Sequence, residues 1–280
     1  MQHLVVVDGS NLLFQMFYGM PARILSPSGK PVQGTLGFVG ALLKILRMTS
    51  PTHVAVLFDG ECENSRTALD ESYKANRPDW SQMAQEELPF SQLPDIYAAL
   101  ELLGICHRET EDCEADDWIA AYAMTAGIDR RVTAVSQDSD YFQLISAFVQ
   151  VLRYRGKQTA VWDEALLWQR LGIRGEQYAD LKALTGDSSD NIRGLQGVGP
   201  KTAAALMARF GSLENLLVQA ETLEKPWLRE AVLENRERLM CNYRLIKLDG
   251  KHPLPFPVEQ LLWKDRGLTT TEILEKLHLK

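Results

Sequence analysis

Two acidic knots stand close together in this chain, Glu114-Ala115-Asp116-Asp117 and Asp138-Ser139-Asp140. The first opens a run in which Ala115, Trp118, Ile119, Tyr122 and Ala126 recur at helical spacing, so it belongs at a helix start. The second follows the apolar run Val132–Val135 and belongs just past a strand end. Ionised carboxylates at such density repel and raise one another's pKa. Hard divalent cations remove that repulsion, because they take oxygen ligands. The chemistry to expect is therefore metal-assisted.

Other aspartates join them by position. The apolar run His3–Val7 ends at Asp8-Gly9-Ser10-Asn11, a tight turn into a helix with Ser10 or Asn11 as its cap. A second run, Val54–Phe58, ends at Asp59. Strands alternating with helices argue for a mostly parallel α/β sheet with flanking helices. In such sheets ligands bind beyond the carboxyl ends of the strands. Asp8, Asp59 and Asp138 each occupy that place. One such residue is usually a turn residue; three beside an acidic helix start make a site.

The intervening elements follow from pattern. Leu36, Val39, Leu42, Leu43 and Leu46 mark an amphipathic helix, as do Leu93, Ile96, Tyr97 and Leu100, the latter ending near Gly104. Asn64 to Pro78 is polar and reads as helical. Val149–Arg155 and Thr159–Trp162 pair as a hairpin around Gly156. After about residue 165 the strand signals fade. A helical part follows, with a turn-rich loop, Gly186-Asp187-Ser188-Ser189-Asp190-Asn191, and then Gly197-Val198-Gly199-Pro200-Lys201-Thr202 ahead of the helical Ala203–Phe210. The division expected is 1–165 for the α/β core and 166–280 for a helical subdomain. The last segment, with Pro253, Pro255 and Pro257, reads as a surface tail before a short helix.

Gly197–Lys201 fits a helix–hairpin–helix turn. Its glycines let backbone approach a phosphate, and the following helix directs free N–H groups at it. Such contacts hold a nucleic-acid backbone without reading bases. Taken alone, a plain helical connection with a glycine cap fits equally well. Arg193, Lys201 and Arg209 against Glu214 tilt the balance toward nucleic acid.

Composition sets the bounds. The 280 residues are 45% hydrophobic with a mean hydropathy of −0.18, values of an ordinary folded chain. No secretory leader and no membrane-spanning run is expected, and four cysteines without C-x-x-C spacing point to a reduced, cytoplasmic setting without zinc. The net charge of −7 opposes a polyanionic partner, but setting aside nine candidate metal carboxylates turns it to +2.

In chain order, Val7-Asp8-Gly9, Phe58-Asp59, Tyr73-Lys74-Ala75-Asn76-Arg77-Pro78, Glu114-Ala115-Asp116-Asp117, Asp138-Ser139-Asp140, Gly186–Asn191 and Gly197–Lys201 together resemble the bacterial 5′-nuclease family. That family comprises flap endonucleases and the 5′→3′ exonuclease domain joined to DNA polymerase I. The match runs from about residue 3 to residue 250, and with no polymerase after Lys280 the free-standing form is expected.

The resemblance implies a PIN-like nuclease core with a helical arch near residues 64–90, and a helix–hairpin–helix subdomain near 186–210. It implies two Mg²⁺ or Mn²⁺ ions. Asp8, Asp59, Glu114 and Asp116 match the residues around the first; Asp117, Asp138, Asp140, Asp187 and Asp190 match those around the second. Lys74 and Arg77 match the basic pair that holds the scissile phosphate, and Tyr73 is placed to stack on a base. Gly197, Gly199, Lys201 and Thr202 match the duplex-gripping hairpin, where the family also places K⁺. The expected activity is cleavage of 5′-flap or 5′-end DNA, including nicked or gapped duplex, by a monomer in replication or repair. Two alternatives stay open. A single-strand ribonuclease with a related acidic core would not need Gly197–Lys201. A DNA-structure-binding protein with a silent site would bind flaps without cutting them.

Overall fold

Leu4, Val5, Val6 and Val7 are all fully buried, which requires cover on both faces of their strand. The computed structural model, which describes residues 2–60, 65–76 and 88–280, supplies that cover. Its α/β layer runs β1 (His3–Asp8), α1 (Gly9–Gly19), α2 (Gln33–Thr49), β2 (His53–Phe58), α3 (Ser65–Leu69), α4 (Leu93–Leu103), β3 (Cys106–Glu109), α5 (Ala115–Ala126), β4 (Arg131–Val135), β5 (Val149–Arg153) and β6 (Ala160–Trp162). The six strands form one sheet in the order β3-β2-β1-β4-β5-β6. All neighbours are parallel except β6, which pairs antiparallel with β5 as the hairpin expected there. Val5 and Val7 face a core with Phe38, Leu42, Ile96 and Leu100 from α2 and α4. Leu4 and Val6 face the opposite core with Ile119, Tyr122 and Ala123 from α5.

The second core continues without a break into the helical part. That part comprises α6 (Glu164–Leu171), α7 (Tyr178–Thr185), a two-stranded ribbon of β7 (Gly186–Asp187) and β8 (Ile192–Arg193), α8 (Pro200–Phe210), α9 (Leu213–Val218), α10 (Pro226–Glu234) and α11 (Arg236–Ile246). The tail then returns to the α/β layer. Trp263 Nε1 donates to the Leu103 carbonyl at 3.0 Å, and α12 (Thr270–Lys276) lies against α2.

Three local readings change. The cap of α1 is Asp8, whose carboxylate accepts the Asn11 N–H at 2.9 Å, not Ser10 or Asn11. The helix expected from residue 64 onward is described only over Ser65–Leu69, and residues 71–76 form turns. β3 went unread because its residues, CHRE, are polar and only partly covered at the sheet edge. Most of the expected arch, Arg77 included, lies outside the described residues. No helix among the described residues is long and apolar enough to cross a membrane.

Candidate active site

β1 and β4 are neighbours at the point where strand order reverses, the place where an open α/β sheet forms a crevice. Asp8 is the last residue of β1, and its Oδ2 accepts from Ser136 Oγ at 2.9 Å and Tyr141 Oη at 3.2 Å. Gly9 has to be glycine, since a Cβ there would lie 2.5 Å from the Phe58 ring. Asp59 follows β2, and its Oδ1 accepts the Ala115 N–H at 2.9 Å, fastening the strand end to the start of α5. Glu114 is the N-cap residue of α5, and Asp116 and Asp117 occupy its first turn. The helix start thus turns carboxylates toward the strand ends, where its dipole favours negative charge.

Asp8, Asp59, Glu114, Asp116 and Asp138 face one another closely enough for their charges to interact. Burial first, then Asp59, pushes the Asp8 carboxyl up to about 7. Burial and then Asp8, Asp59 and Asp138 raise Asp116 well above the usual carboxylate range. The Tyr141 hydroxyl donates to Asp116 as well as to Asp8, and stays protonated because burial and both carboxylates oppose its ionisation.

A second group sits beside the first. Asp138 Oδ1 accepts the Asp140 N–H at 2.9 Å, which joins the two. Asp140, Asp187 and Asp190 each bring a carboxylate oxygen within 4.8 Å of the others. The Lys182 ammonium pairs with Asp187 and stands 3.8 Å from Asp140. The two carboxyls respond in opposite directions. Burial and Asp138 push Asp140 up to about 7, and the more distant ammonium only partly offsets this. Burial also acts on Asp187, but its direct bond to Lys182 and two bonds from Ser189 outweigh it and lower the carboxyl. Asp140 Oδ1 is buried and has no hydrogen-bond partner. An all-carboxylate set with an orphaned buried oxygen fits hard divalent cations such as Mg²⁺ or Mn²⁺.

The remaining candidates lie around these two groups. Asp117 accepts from Arg66 at 2.6 Å and from the Asp249 N–H at 2.8 Å, and Arg66 also bonds Glu114. Lys74 pairs with Glu114, and its backbone lies in the left-handed region at φ 57°. Tyr73 is 6% exposed with the Lys74 ammonium 4.8 Å above its ring, so this conformation does not offer that face to a base. Gly199 caps α8 with no side-chain bond to its first N–H groups, and Gly197, Gly199 and Lys201 are exposed with Thr202 half-buried. Gly197 adopts φ 80°, with the Trp227 ring 3.6 Å from where a Cβ would sit.

Arg66, Tyr141 and Lys182 were not singled out as site residues from sequence. Arg66 and Lys182 are cations between apolar or polar helical neighbours, and a lone cation carries no signal of what it will face. Tyr141 had one usable clue. It directly follows Asp140, and a buried phenol needs a polar partner.

Two family models together span nearly the whole chain. The 5′-3′ exonuclease N-terminal resolvase-like domain matches residues 3–172, and the 5′-3′ exonuclease C-terminal SAM fold matches residues 173–267. DNA polymerase I of Rhizobium leguminosarum is 37% identical over 93% of this chain and 26% of its own length. The thermostable DNA polymerase I of Thermus aquaticus is 36% identical over 90% of this chain and 29% of its own. The chain therefore spans under a third of these two relatives. Among solved structures, bacteriophage T5 5′-exonuclease with bound zinc ions superposes with a TM-score of 0.72 at 25% identity, covering 89% of this chain and 90% of that one. The catalytic core of Rad2 with a DNA substrate shares the fold at a TM-score of 0.60 and 18% identity, over 99% and 93% of the two chains. The chain belongs to the 5′-3′ exonuclease family, a family of 5′ nucleases.

Proposed function

We propose that this protein is a structure-specific, divalent-cation-dependent 5′ nuclease that hydrolyses phosphodiesters in 5′-flap or 5′-end DNA. The observation that carries this is the convergence of eight carboxylates from β1, β2, α5, the loop after β4 and the loop after α7. Asp8, Asp59, Glu114 and Asp116 would hold one cation; Asp138, Asp140, Asp187 and Asp190 would hold the other, with Asp117 behind them under Arg66. Two Mg²⁺ or Mn²⁺ ions would supply a nucleophilic water at neutral pH and charge stabilisation of the attacked and departing oxygens. No nucleophilic side chain is then required.

The chain's own residues do the rest. Lys74 now neutralises Glu114. With that carboxylate held by a cation, the ammonium would be free to reach a phosphate oxygen, and Arg77 would work beside it. Tyr141 keeps Asp8 and Asp116 together through a neutral hydroxyl, and so adds no charge to a crowded centre. Gly197, Gly199, Lys201 and Thr202 grip duplex phosphate backbone without reading sequence, and K⁺ belongs to the same hairpin. The likeness to a metal-bound phage exonuclease and to a core seen with DNA supports this reading. We assign the protein to the cytoplasm, in keeping with the free cysteines Cys106 and Cys241, and to a monomeric state.

The test is cleavage of a 5′-labelled flap duplex in Mg²⁺, Mn²⁺ or EDTA, beside Asp116→Ala. Cation-dependent release of the flap, lost in the variant, is the expected result. Flap binding without cleavage by the wild type would select a silent DNA-structure binder instead. Cleavage of single-stranded RNA alone would select a ribonuclease.

A further inference from the structure

Turn 70–76 and loop 186–191 are more than 100 residues apart in sequence yet hold each other by crossed hydrogen bonds. Asn76 Nδ2 donates to the Ser188 carbonyl at 2.9 Å. Asn191 Nδ2 donates the opposite way, to the Ser72 carbonyl at 2.8 Å. Between them the Lys74 N–H donates to the Asp190 carbonyl at 3.0 Å. Lys74 and Asn191 both have left-handed backbones, at φ 57° and 60°. Asparagine tolerates that region, whereas lysine enters it only when its surroundings impose it. The surroundings here are the three bonds.

We propose that Asn76 and Asn191 are positioning residues that make Lys74 and the Asp187–Asp190 carboxylates one mechanical unit. The proposal rests on the reading of this site as a cation-loaded, DNA-cutting centre. Lys74 reaches Glu114 of the first carboxylate group, while the loop it is tied to carries Asp187 and Asp190 of the second. Drawing Asp187 and Asp190 onto a cation pulls loop 186–191, and the crossed amides pass that movement to the backbone of Lys74. In this proposal DNA phosphate on Lys74 tightens cation binding at the second group, and by reciprocity the cation tightens DNA binding by the same factor. Without the amides the turn and the loop each keep their residues but lose the connection.

The experiment is a calorimetric titration with Mn²⁺, alone and with a 5′-flap duplex carrying phosphorothioate linkages at the junction, which keep the charge and retard hydrolysis. DNA tightens Mn²⁺ binding to the wild type by about fivefold or more. In Asn76→Ala and Asn191→Gly, Mn²⁺ binding without DNA stays within about twofold of wild type, but the DNA-dependent tightening is lost. Asn191→Gly retains the left-handed backbone at no steric cost, so a loss there reports the amide and not a broken loop. Asn76→Gln, which keeps an amide donor, restores part of the tightening. Wild-type tightening in both variants, or none in the wild type, overturns the proposal. A wild type that binds neither Mn²⁺ nor the flap duplex overturns the nuclease reading itself.

Discussion

The two carboxylate groups solve the same electrostatic problem in different ways. In the first, Asp8 and Asp116 are both raised and share a neutral donor, Tyr141. In the second, Lys182 supplies a resident positive charge that lowers Asp187 but leaves Asp140 raised. The first group is anchored on strand ends and a helix start, so its members cannot move apart to relax. The second is assembled from the loop after β4, α7 and the loop after it, and part of its charge is already paired. Lodging negative charge on a rigid sheet edge leaves protonation or a cation as the ways to relieve it. Lodging it on a loop allows an internal counter-charge as well.

The largest expected effect breaks the first group. Asp116→Ala should reduce flap cleavage by about a thousandfold or more, the scale on which charge-stabilising groups act. The same change should leave the cation-free melting temperature equal or higher, because it removes one of several crowded carboxylates. A sharp fall in that temperature would mean Asp116 is a structural residue. Lys182→Met tests the second group and should behave in the opposite sense. It strips the counter-charge from Asp140 and Asp187, so cation-free stability at pH 8 falls by about 2 kcal/mol. The Mg²⁺ concentration giving half-maximal cleavage should also fall, since the cation no longer displaces an ammonium. A raised Mg²⁺ requirement would show that Lys182 assists loading.

The contrast extends to pH. A free aspartate titrates near 3.9, whereas native Asp8 and Asp140 do so at about 7. Between those values the native protein holds protons that the unfolded chain has released, so cation-free stability falls as pH rises from about 4 to about 7, and raised Asp116 adds to the same downward slope. Asp187, being lowered, works the other way and loses its contribution as pH falls. Thermal melts in EDTA should show the downward slope with rising pH, and Asp8→Asn should flatten it. A melting temperature that rises across this range would contradict the crowding argument.

How much of the site was legible in sequence depends on the range of the interactions. Asp8 and Asp59 could be read because a strand shows itself in a short apolar run, and the residue at its end is fixed by that run alone. The acidic start of α5 could be read for the same reason. Arg66 meets Glu114 and Asp117 across 48 and 51 residues, and Lys74 meets Glu114 across 40. No local pattern encodes such pairs. The helix expected from residue 64 onward fails for a related reason. Residues 70–76 have helical composition, but crossed bonds to residues 188–191 hold them as turns and override propensity. The cap of α1 was misassigned because Ser and Asn are good caps in general, while the helix begins earlier, directly after Asp8, than that preference assumes.

The smallest expected effect sharpens the first half of the comparison. Tyr141→Phe removes one hydroxyl and leaves the ring, which is fully buried, in place. Asp8 keeps its bonds from Asn11 and Ser136, whereas Asp116 loses the Tyr141 hydroxyl that donates to it. Losing a donor disfavours the ionised form, so Asp116 should titrate still higher and the falling limb of cation-free stability should extend further above neutrality. The cost in cation-free stability at pH 8 should be about 1 kcal/mol, the usual worth of one hydrogen bond. With Mg²⁺ present the cation takes over the neutralising role, so the variant should approach wild-type stability, with cleavage reduced by roughly tenfold or less. If instead the variant stayed impaired at saturating Mg²⁺ by as much as Asp116→Ala, the hydroxyl would have to act in the reaction itself, and the first group's neutral donor would be part of the chemistry rather than its support.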